Sequence, residues 1–287
     1  MSLRYAVIGN PVEHSRSPAI HAQFARQMGI DLEYGRILAP LDGFVEAVER
    51  FRDEGGSGLN VTLPFKLDAF AWAARHSARA TEAGAVNTLR FEAGEGDGAW
   101  GDNTDGAGLV RDLCERNGFP LEGRSVLLLG AGGAARGVVG PLLDAGVARL
   151  VVSNRSPANA ERLVEKFAAR VVHPVFVALD AVEPGFDLIV EASGSGLRDE
   201  RVPIVDEVFA AASLAYDLFY AATPTAFVRQ ARGAGCPDAC DGLGMLVEQA
   251  AESFLDWHGV RPQTDPVYRT LREALHGTSA SSSSPSR

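Results

Sequence analysis

The sequence of 287 residues is almost without lysine: Lys66 and Lys166 stand against 25 arginines. Cysteine is scarce too. Cys114, Cys236 and Cys240 are three in number, too few and of the wrong parity for a disulfide framework, so buried or free thiols are expected. Cys236 and Cys240 have no matching second pair, and the six histidines show no ligand spacing, so no metal is expected. No apolar run reaches the roughly 18 residues of a membrane span. Residues 1–11 lack the charged start and long apolar core of a secretory signal. A basic excess is also missing. With 27 basic and 37 acidic residues the formal net charge is −10, which argues against a nucleic-acid coat. These absences lead to the expectation of a cytoplasmic protein with neither a membrane nor a nucleic acid as partner, a monomer or a homodimer.

What is present is an alternation of short β-rich runs and helical stretches. Strands are expected at Tyr5–Gly9, Leu32–Leu38, Gly58–Thr62 and Val86–Phe91, with helices at Pro18–Met28, Gly43–Asp53 and Lys66–Arg79. That order predicts a mainly parallel sheet covered by helices. The Gly-rich, acidic stretch Glu92–Gly98 reads as a hairpin loop before a strand at Ala99–Thr104. A second series opens with a helix at Gly106–Asn117. Five strands follow, at Ser125–Leu129, Arg149–Ser153, Val175–Leu179, Leu188–Ala192 and Leu214–Leu218. Helices at Ala134–Ala145, Pro157–Ala169 and Thr225–Gly235 fill the gaps, which suits a Rossmann-type doubly wound sheet.

Gly244 to Leu275 is helical without a strand, and its first helix has an apolar face of Met245, Leu246, Ala250, Phe254 and Trp257. Such a helix must pack on an earlier layer. Packing on the first domain makes the middle domain an insertion. The expected fold class is therefore α/β, with a split N-terminal α/β domain (residues 1–104, completed by helices in 241–277) and an inserted Rossmann-type domain (105–240). Residues 278–287 hold six serines and no large apolar group, and are expected to form a disordered tail.

The sharpest motif is Val126-Leu-Leu-Leu-Gly-Ala-Gly-Gly-Ala-Ala-Arg136. A buried strand runs into Gly130-x-Gly132-x-x-Ala135 and then a helix. Gly130 permits the tight turn, Gly132 lets the backbone approach a pyrophosphate, and Ala135 allows close helix–strand packing. The helix N-terminus offers free N–H groups to phosphate. In versions that bind NAD, an acid about 20 residues on holds the ribose 2′-hydroxyl. Here the next strand ends in Asn154, Arg155 and Ser156. Arg155 can pair with a 2′-phosphate and Ser156 can donate to it, which predicts NADP(H) over NAD. Leu188-Ile-Val-Glu-Ala-Ser-Gly-Ser-Gly196 is a plausible floor for the nicotinamide half.

Polar clusters mark strand ends in the first domain. Ser15 and Ser17 precede a helix with Pro18 at its first position; they suit an N-cap, a substrate carboxylate, or both. Leu59-Asn-Val-Thr-Leu-Pro-Phe-Lys66 presents Asn60, Thr62 and Lys66 where a strand gives way to a helix. Gly84-Ala-Val-Asn-Thr88 presents Asn87, and Gly101-Asp-Asn-Thr-Asp-Gly106 presents Asp105. An N-cap or solvent role suits either Asp102 or Asp105.

Taken together, these motifs resemble the NADP-dependent shikimate dehydrogenases of the shikimate/quinate dehydrogenase family. The resemblance runs in order from about Tyr5 to about Leu275. It includes S-x-S-P, N-V-T-x-P-x-K, G-A-V-N-T, N-T-D-G, G-A-G-G-A, N-R-[ST], the Y-D-x-x-Y pattern of Tyr216–Tyr220, and D-G-L-G-M-L-V-x-Q-A at Asp241–Ala250. It implies a substrate-binding first domain and an inserted NADP-binding one. It also implies that Ser15 and Ser17, with Tyr220 nearby, hold a substrate carboxylate, and that Asn60, Thr62, Asn87, Asp105 and Gln249 read ring hydroxyls. Lys66 and Asp105 would be the catalytic pair. Gly130, Ala131, Gly132, Gly133 and Ala134 would line the cofactor site with Asn154, Arg155, Ser156, Leu218 and Gly242. Glu191 stands where many relatives have Asn, and Leu197 and Leu218 where Met is common.

The implied reaction is reversible reduction of the ring ketone of 3-dehydroshikimate to shikimate, in aromatic amino-acid biosynthesis. Negative charge developing on the ketone oxygen asks for a cation that can stabilise it and hand over a proton. Lysine meets that demand and arginine does not. Two other readings stand beside this one: a quinate/shikimate dehydrogenase with relaxed substrate or NAD use, and a non-catalytic NADP-binding sensor.

Overall fold

The computed structural model describes residues 2–91 and 99–281. They form two units, one within residues 2–108 and 247–267, the other within 109–246 and 268–281.

The first unit runs β1 (Leu3–Gly9), α1 (Ser17–Met28), β2 (Leu32–Leu38), α2 (Phe44–Asp53), β3 (Gly58–Val61), α3 (Lys66–Trp72), β4 (Arg75–His76), α4 (Ala78–Ala83), β5 (Thr88–Phe91) and β6 (Ala99–Asp102), and reaches the start of α5 (Asp105–Arg111). Its sheet has the order β2-β1-β3-β5-β6-β4. β1 is parallel to both β2 and β3, as the alternating pattern predicts. β5 departs from it and runs antiparallel to both β3 and β6. The seven residues between β5 and β6 are too few for a parallel crossover, which takes a dozen or more. The hairpin loop expected at Glu92–Gly98 lies outside the described residues. The single helix expected over Lys66–Arg79 is broken, because β4 pairs with β6 and Ser77 caps a new helix by accepting from the Ala80 N–H at 3.0 Å. The core under this sheet includes fully buried Ile8, Val48, Leu59, Phe65 and Leu89.

In the second unit α5 continues as a π turn at Asp112–Arg116. Then come β7 (Ser125–Leu129), α6 (Gly133–Asp144), β8 (Arg149–Ser153), α7 (Pro157–Glu165), β9 (Val175–Phe176), β10 (Leu188–Glu191), α8 (Asp206–Ala210), β11 (Leu214–Asp217), α9 (Ala226–Gly233) and β12 (Asp238–Asp241). All strand pairs are parallel. The order is β12-β11-β10-β7-β8-β9, the doubly wound arrangement with its reversal of winding between β7 and β10. The alternation of strand side chains divides the interior. Val126 and Leu128 of β7 enter one apolar cluster, Leu127 and Leu129 the other. β12 is a sixth strand. Its Asp-Ala-Cys-Asp sequence has no β-branched residue to signal it, and it is held in register by β11, with Leu214 opposite Asp238.

Two helices follow, α10 (Leu243–His258) and α11 (Asp265–Ser281). α10 from Val247 onward belongs to the first unit and α11 from Tyr268 onward to the second. Arg272 of α11 pairs with Asp241 at 2.5 Å, and Arg116 lies 4.2 Å over the Tyr268 ring. α11 is helical through Ser281, so the first four positions of the expected tail are helix; 282–287 lie outside the described residues. The three cysteines are free. Among the described residues no helix is long and apolar enough to cross a membrane.

Candidate active site

In the first unit, strand ends and helix starts bring the polar motifs together. Lys66 opens α3 just beyond β3, and Asp105 opens α5 just beyond β6. The Lys66 ammonium meets Asp105 Oδ2 at 2.5 Å, with the two side chains only 11% and 6% exposed. The other Asp105 oxygen accepts from the Asn87 amide at 2.9 Å. That amide also reaches Thr104 Oγ1 at 2.9 Å and Gln249 Oε1 at 3.2 Å. The Asn87 carbonyl oxygen accepts from the Thr104 N–H, 2.9 Å, and from the Thr88 hydroxyl, 2.9 Å. A buried polar side chain costs stability unless its partners are supplied; here they come from Thr88 of β5, from the turn at Thr104 and Asp105, and from Gln249 of α10.

Asn60 of β3 joins the same network, donating to the Asn87 backbone carbonyl at 3.3 Å and to Thr88 Oγ1 at 3.2 Å. It donates to Ser253 Oγ of α10 at 2.9 Å and accepts from the Tyr34 hydroxyl at 2.7 Å. Ser15 and Ser17 are joined Oγ to Oγ at 3.2 Å, and the Ser15 carbonyl is held by Arg36 at 2.7 Å. Ser17 is buried at the start of α1. Thr62 packs its methyl against Gly9, where a Cβ would overlap it. Eight of the nine substrate-side and catalytic candidates thus lie in one unit. Tyr220 lies in the second, beyond β11 and 6.2 Å from the Phe219 ring.

Asp102 has a different place from the N-cap or solvent role open to it in the sequence. It is 4% exposed and accepts from Arg79 through Nε at 2.8 Å and Nη2 at 2.5 Å, with Ser77 and the Asn103 N–H as further donors. These donors hold its carboxyl below the usual range although burial pushes the other way. The pair anchors the 102–105 turn that presents Asp105. Tyr34, Thr88, Thr104 and Ser253 complete the network. None of the four stands out in the sequence as a site residue, although Thr88 and Thr104 sit inside the quoted motifs and Ser253 shares the inward helix face with Gln249.

The second unit carries the glycine turn. Gly130 has φ +123°, and a Cβ there would lie 2.7 Å from the Ala192 backbone, so only glycine fits. In front of Gly132 there is open space, and α6 begins at Gly133 with Ala135 fully buried behind it. This is a cradle for phosphate backed by N–H groups and a helix dipole. A cavity lined by Gly130, Asn154, Arg155, Glu191, Ser193 and Ser195, among others, runs along the strand tips. Asn154 is fixed by its bond to the Ser156 carbonyl, 3.0 Å, and Arg155 is exposed beside it. Gly242 packs so closely on the Leu218 carbonyl that a Cβ would overlap it. The residues expected to take NADP thus fit a dinucleotide.

Three family models match in order: shikimate dehydrogenase substrate binding domain over residues 7–89, shikimate/quinate 5-dehydrogenase over 112–199, and shikimate 5′-dehydrogenase C-terminal domain over 242–272. A shikimate dehydrogenase (NADP(+)) of Aromatoleum aromaticum is 54% identical over 280 residues, covering 96% of this chain and 98% of that protein. The crystal structure of an Ael1 enzyme from Pseudomonas putida is similar with a TM-score of 0.86 at 46% identity, covering 94% of this chain and 98% of that one. Shikimate 5-dehydrogenase from Thermus thermophilus, solved in complex with NADP(H) and shikimate, has a TM-score of 0.82 at 34% identity, covering 95% and 99%. The chain belongs to the shikimate dehydrogenase family.

Proposed function

We propose that this protein catalyses the NADPH-dependent, reversible reduction of 3-dehydroshikimate to shikimate, a cytoplasmic step of aromatic amino-acid biosynthesis. The observation that carries the mechanism is the buried Lys66–Asp105 pair, held at 2.5 Å and tied through Asn87 to Gln249. In this reading residues 2–108 with 247–267 are the substrate-binding part and 109–246 with 268–281 the NADP-binding part; against the boundaries expected from the sequence, Asp105 joins the first and the C-terminal helix from Tyr268 the second.

NADPH, when bound, supplies the hydride. Lys66 places a cation beside the ketone oxygen, where it stabilises the developing charge and delivers the proton. Asp105 holds the ammonium in place and accepts from a ring hydroxyl. Ser15 and Ser17, with Tyr220, take the carboxylate. Asn60, Thr62, Asn87 and Gln249 read the hydroxyls, and the network behind them fixes their orientation before substrate arrives. Gly130–Ala134 face the pyrophosphate, Asn154, Arg155 and Ser156 the 2′-phosphate, and Leu218 and Gly242 the far end of the dinucleotide.

The test is a spectrophotometric assay of the purified protein with shikimate and quinate, each with NADP+ and NAD+. Turnover is expected to be fastest with shikimate and NADP+. Faster turnover of quinate, or equal use of NAD+, would replace this reading by the relaxed-specificity one. Binding of NADPH without turnover of either acid would favour a sensor.

A further inference from the structure

The C-terminal tips of three neighbouring strands carry carboxyl groups in register: Glu191 opposite Asp217, and Asp217 opposite Asp241. Two of the three are fully partnered. Asp217 accepts from the Phe219 N–H at 2.9 Å and the Thr225 hydroxyl at 2.6 Å, and Asp241 is paired with Arg272. Glu191 differs. It is 1% exposed, and its Oε1 collects the Ser193 N–H at 2.8 Å, the Ser193 hydroxyl, and the Ser195 hydroxyl at 3.1 Å. Its Oε2 is buried and has no hydrogen-bond partner among the described residues. The same residue lines the cavity that also holds Gly130 and Arg155. A buried polar atom left open in a binding cavity is a place kept for a ligand or a proton.

The strand order says which part of the ligand lies there. β8, β7 and β10 are successive neighbours. Arg155 follows the tip of β8, the glycine turn follows β7, and Glu191 ends β10. A dinucleotide with its 2′-phosphate at Arg155 and its pyrophosphate at the glycine turn therefore extends its nicotinamide half over β10. Oxidised and reduced nicotinamide differ by one positive charge on the ring, and a carboxylate in a poorly solvated site distinguishes them.

Resting on the proposed NADP site, we infer that Glu191 reads the redox state of the dinucleotide: its carboxylate accompanies NADP+, its protonated form NADPH, and binding of NADP+ releases that proton to solvent. Burial raises the Glu191 carboxyl above its ordinary range, against the pull of the Ser193 and Ser195 donors, which favours the protonated form when no cation lies beside it. The other charged groups around it are Asp217 on β11, Asp241 beyond it on β12, Arg155 at the tip of β8, and Arg198, Glu200 and Arg201 along the cavity.

The test is equilibrium binding, without substrate, of NADP+ and NADPH to the full chain and to Glu191→Gln across about pH 5 to 9. The readout is the ratio Kd(NADP+)/Kd(NADPH). Titration of the 2′-phosphate affects both forms alike and cancels in the ratio. For the unsubstituted chain the ratio is expected to fall by about tenfold or more as pH rises, the equivalent of one pKa unit of linkage. For Glu191→Gln it should stay flat and meet the wild-type value at the acid end, which also shows that the variant is folded. A flat wild-type ratio overturns the proposal. So does a slope that survives Glu191→Gln, and its loss in Asp217→Asn would then assign it to Asp217. No measurable NADPH binding by the unsubstituted chain would instead remove the underlying NADP site.

Discussion

Replacing Lys66 by arginine would keep a cation beside Asp105 and take away the exchangeable proton. The sequence holds 25 arginines and two lysines, so arginine serves nearly every cationic role, and the lysine that meets Asp105 at 2.5 Å is retained for a property arginine lacks. Lys66→Arg and Lys66→Ala are both expected to lose a factor of at least ~100 in kcat, the low end for general acid–base catalysis, with the shikimate KM changed far less. Steady-state assays check this, and near-normal kcat in either variant would remove Lys66 as the proton donor. Arg155→Ala tests the other site. Losing one charge-assisted bond to the 2′-phosphate should raise the NADPH KM by about tenfold or more and leave the NADH KM unchanged. An equal rise for both cofactors would contradict that role. At this scale the sequence was informative about which polar side chains the first unit gathers together, because such residues cluster beside glycines, prolines and strand ends. It was silent on what holds them. Asn87 and Gln249 are 162 positions apart, Asn60 and Ser253 193 apart, and no local pattern records such a pairing. Asp102 shows the same limit: its donor Arg79 lies in a stretch that reads as one helix with Lys66.

Elements were legible where hydrophobic patterning is strong. β2, β7 and β8 fall at the expected residues: β7 and β8 as buried valine- and leucine-rich runs, β2 as a half-buried strand of alternating pattern. The failures are short elements set by their neighbours: β4, α8 and β12 have five residues or fewer, and tertiary pairing decides them. The start of α10 gives a physical reason for one glycine in D-G-L-G. The buried Asp112 carboxylate accepts from the Tyr216 hydroxyl at 2.7 Å, from Arg116 at 2.9 Å and from Asn117 at 3.2 Å. It lies where a Cβ on Gly244 would be, beside the positive end of the helix. In an open helix, Gly→Ala stabilises by up to about 1 kcal/mol. Gly244→Ala should instead destabilise by about 1–3 kcal/mol, the usual cost of overpacking. Thermal and denaturant unfolding of the full chain decide the sign, and a raised midpoint would show that Asp112 moves aside without penalty.

At the scale of the whole chain, a C-terminal helical segment without a sheet of its own predicts a return to the N-terminal unit; α10 from Val247 onward belongs to that unit, whereas α11 from Tyr268 onward belongs to the second. The residue where the return begins was not legible, because amphipathic periodicity continues unbroken through Leu246 and Val247. The return is sealed by an aromatic cluster. His21 of α1 stacks on Tyr34 of β2 with ring centroids 4.3 Å apart and planes within 7°, and Trp257 of α10 stands 5.2 Å away. His21 is fully buried. Burial first, and then the neighbouring His258, lower its pKa from 6.5 to about 3. The sign follows from linkage. The folded chain keeps His21 neutral, and the unfolded chain protonates it below about 6.5. Its contribution to stability is complete above that value and is lost as pH falls toward 3, by up to about 1.4 kcal/mol per pH unit. Asp217, raised to about 7 by burial, acts in the opposite sense, and carboxylates held low, such as Asp102, titrate below this window. Both are common to the unsubstituted chain and His21→Phe, which keeps a ring to stack on Tyr34, so comparing the two isolates the histidine. Between pH 6.5 and 5 the denaturation midpoint of the unsubstituted chain should fall more steeply than that of His21→Phe. Parallel curves would mean that the cluster opens to admit a proton without unfolding, and that α10 is held to the first unit by something other than a dry aromatic seal.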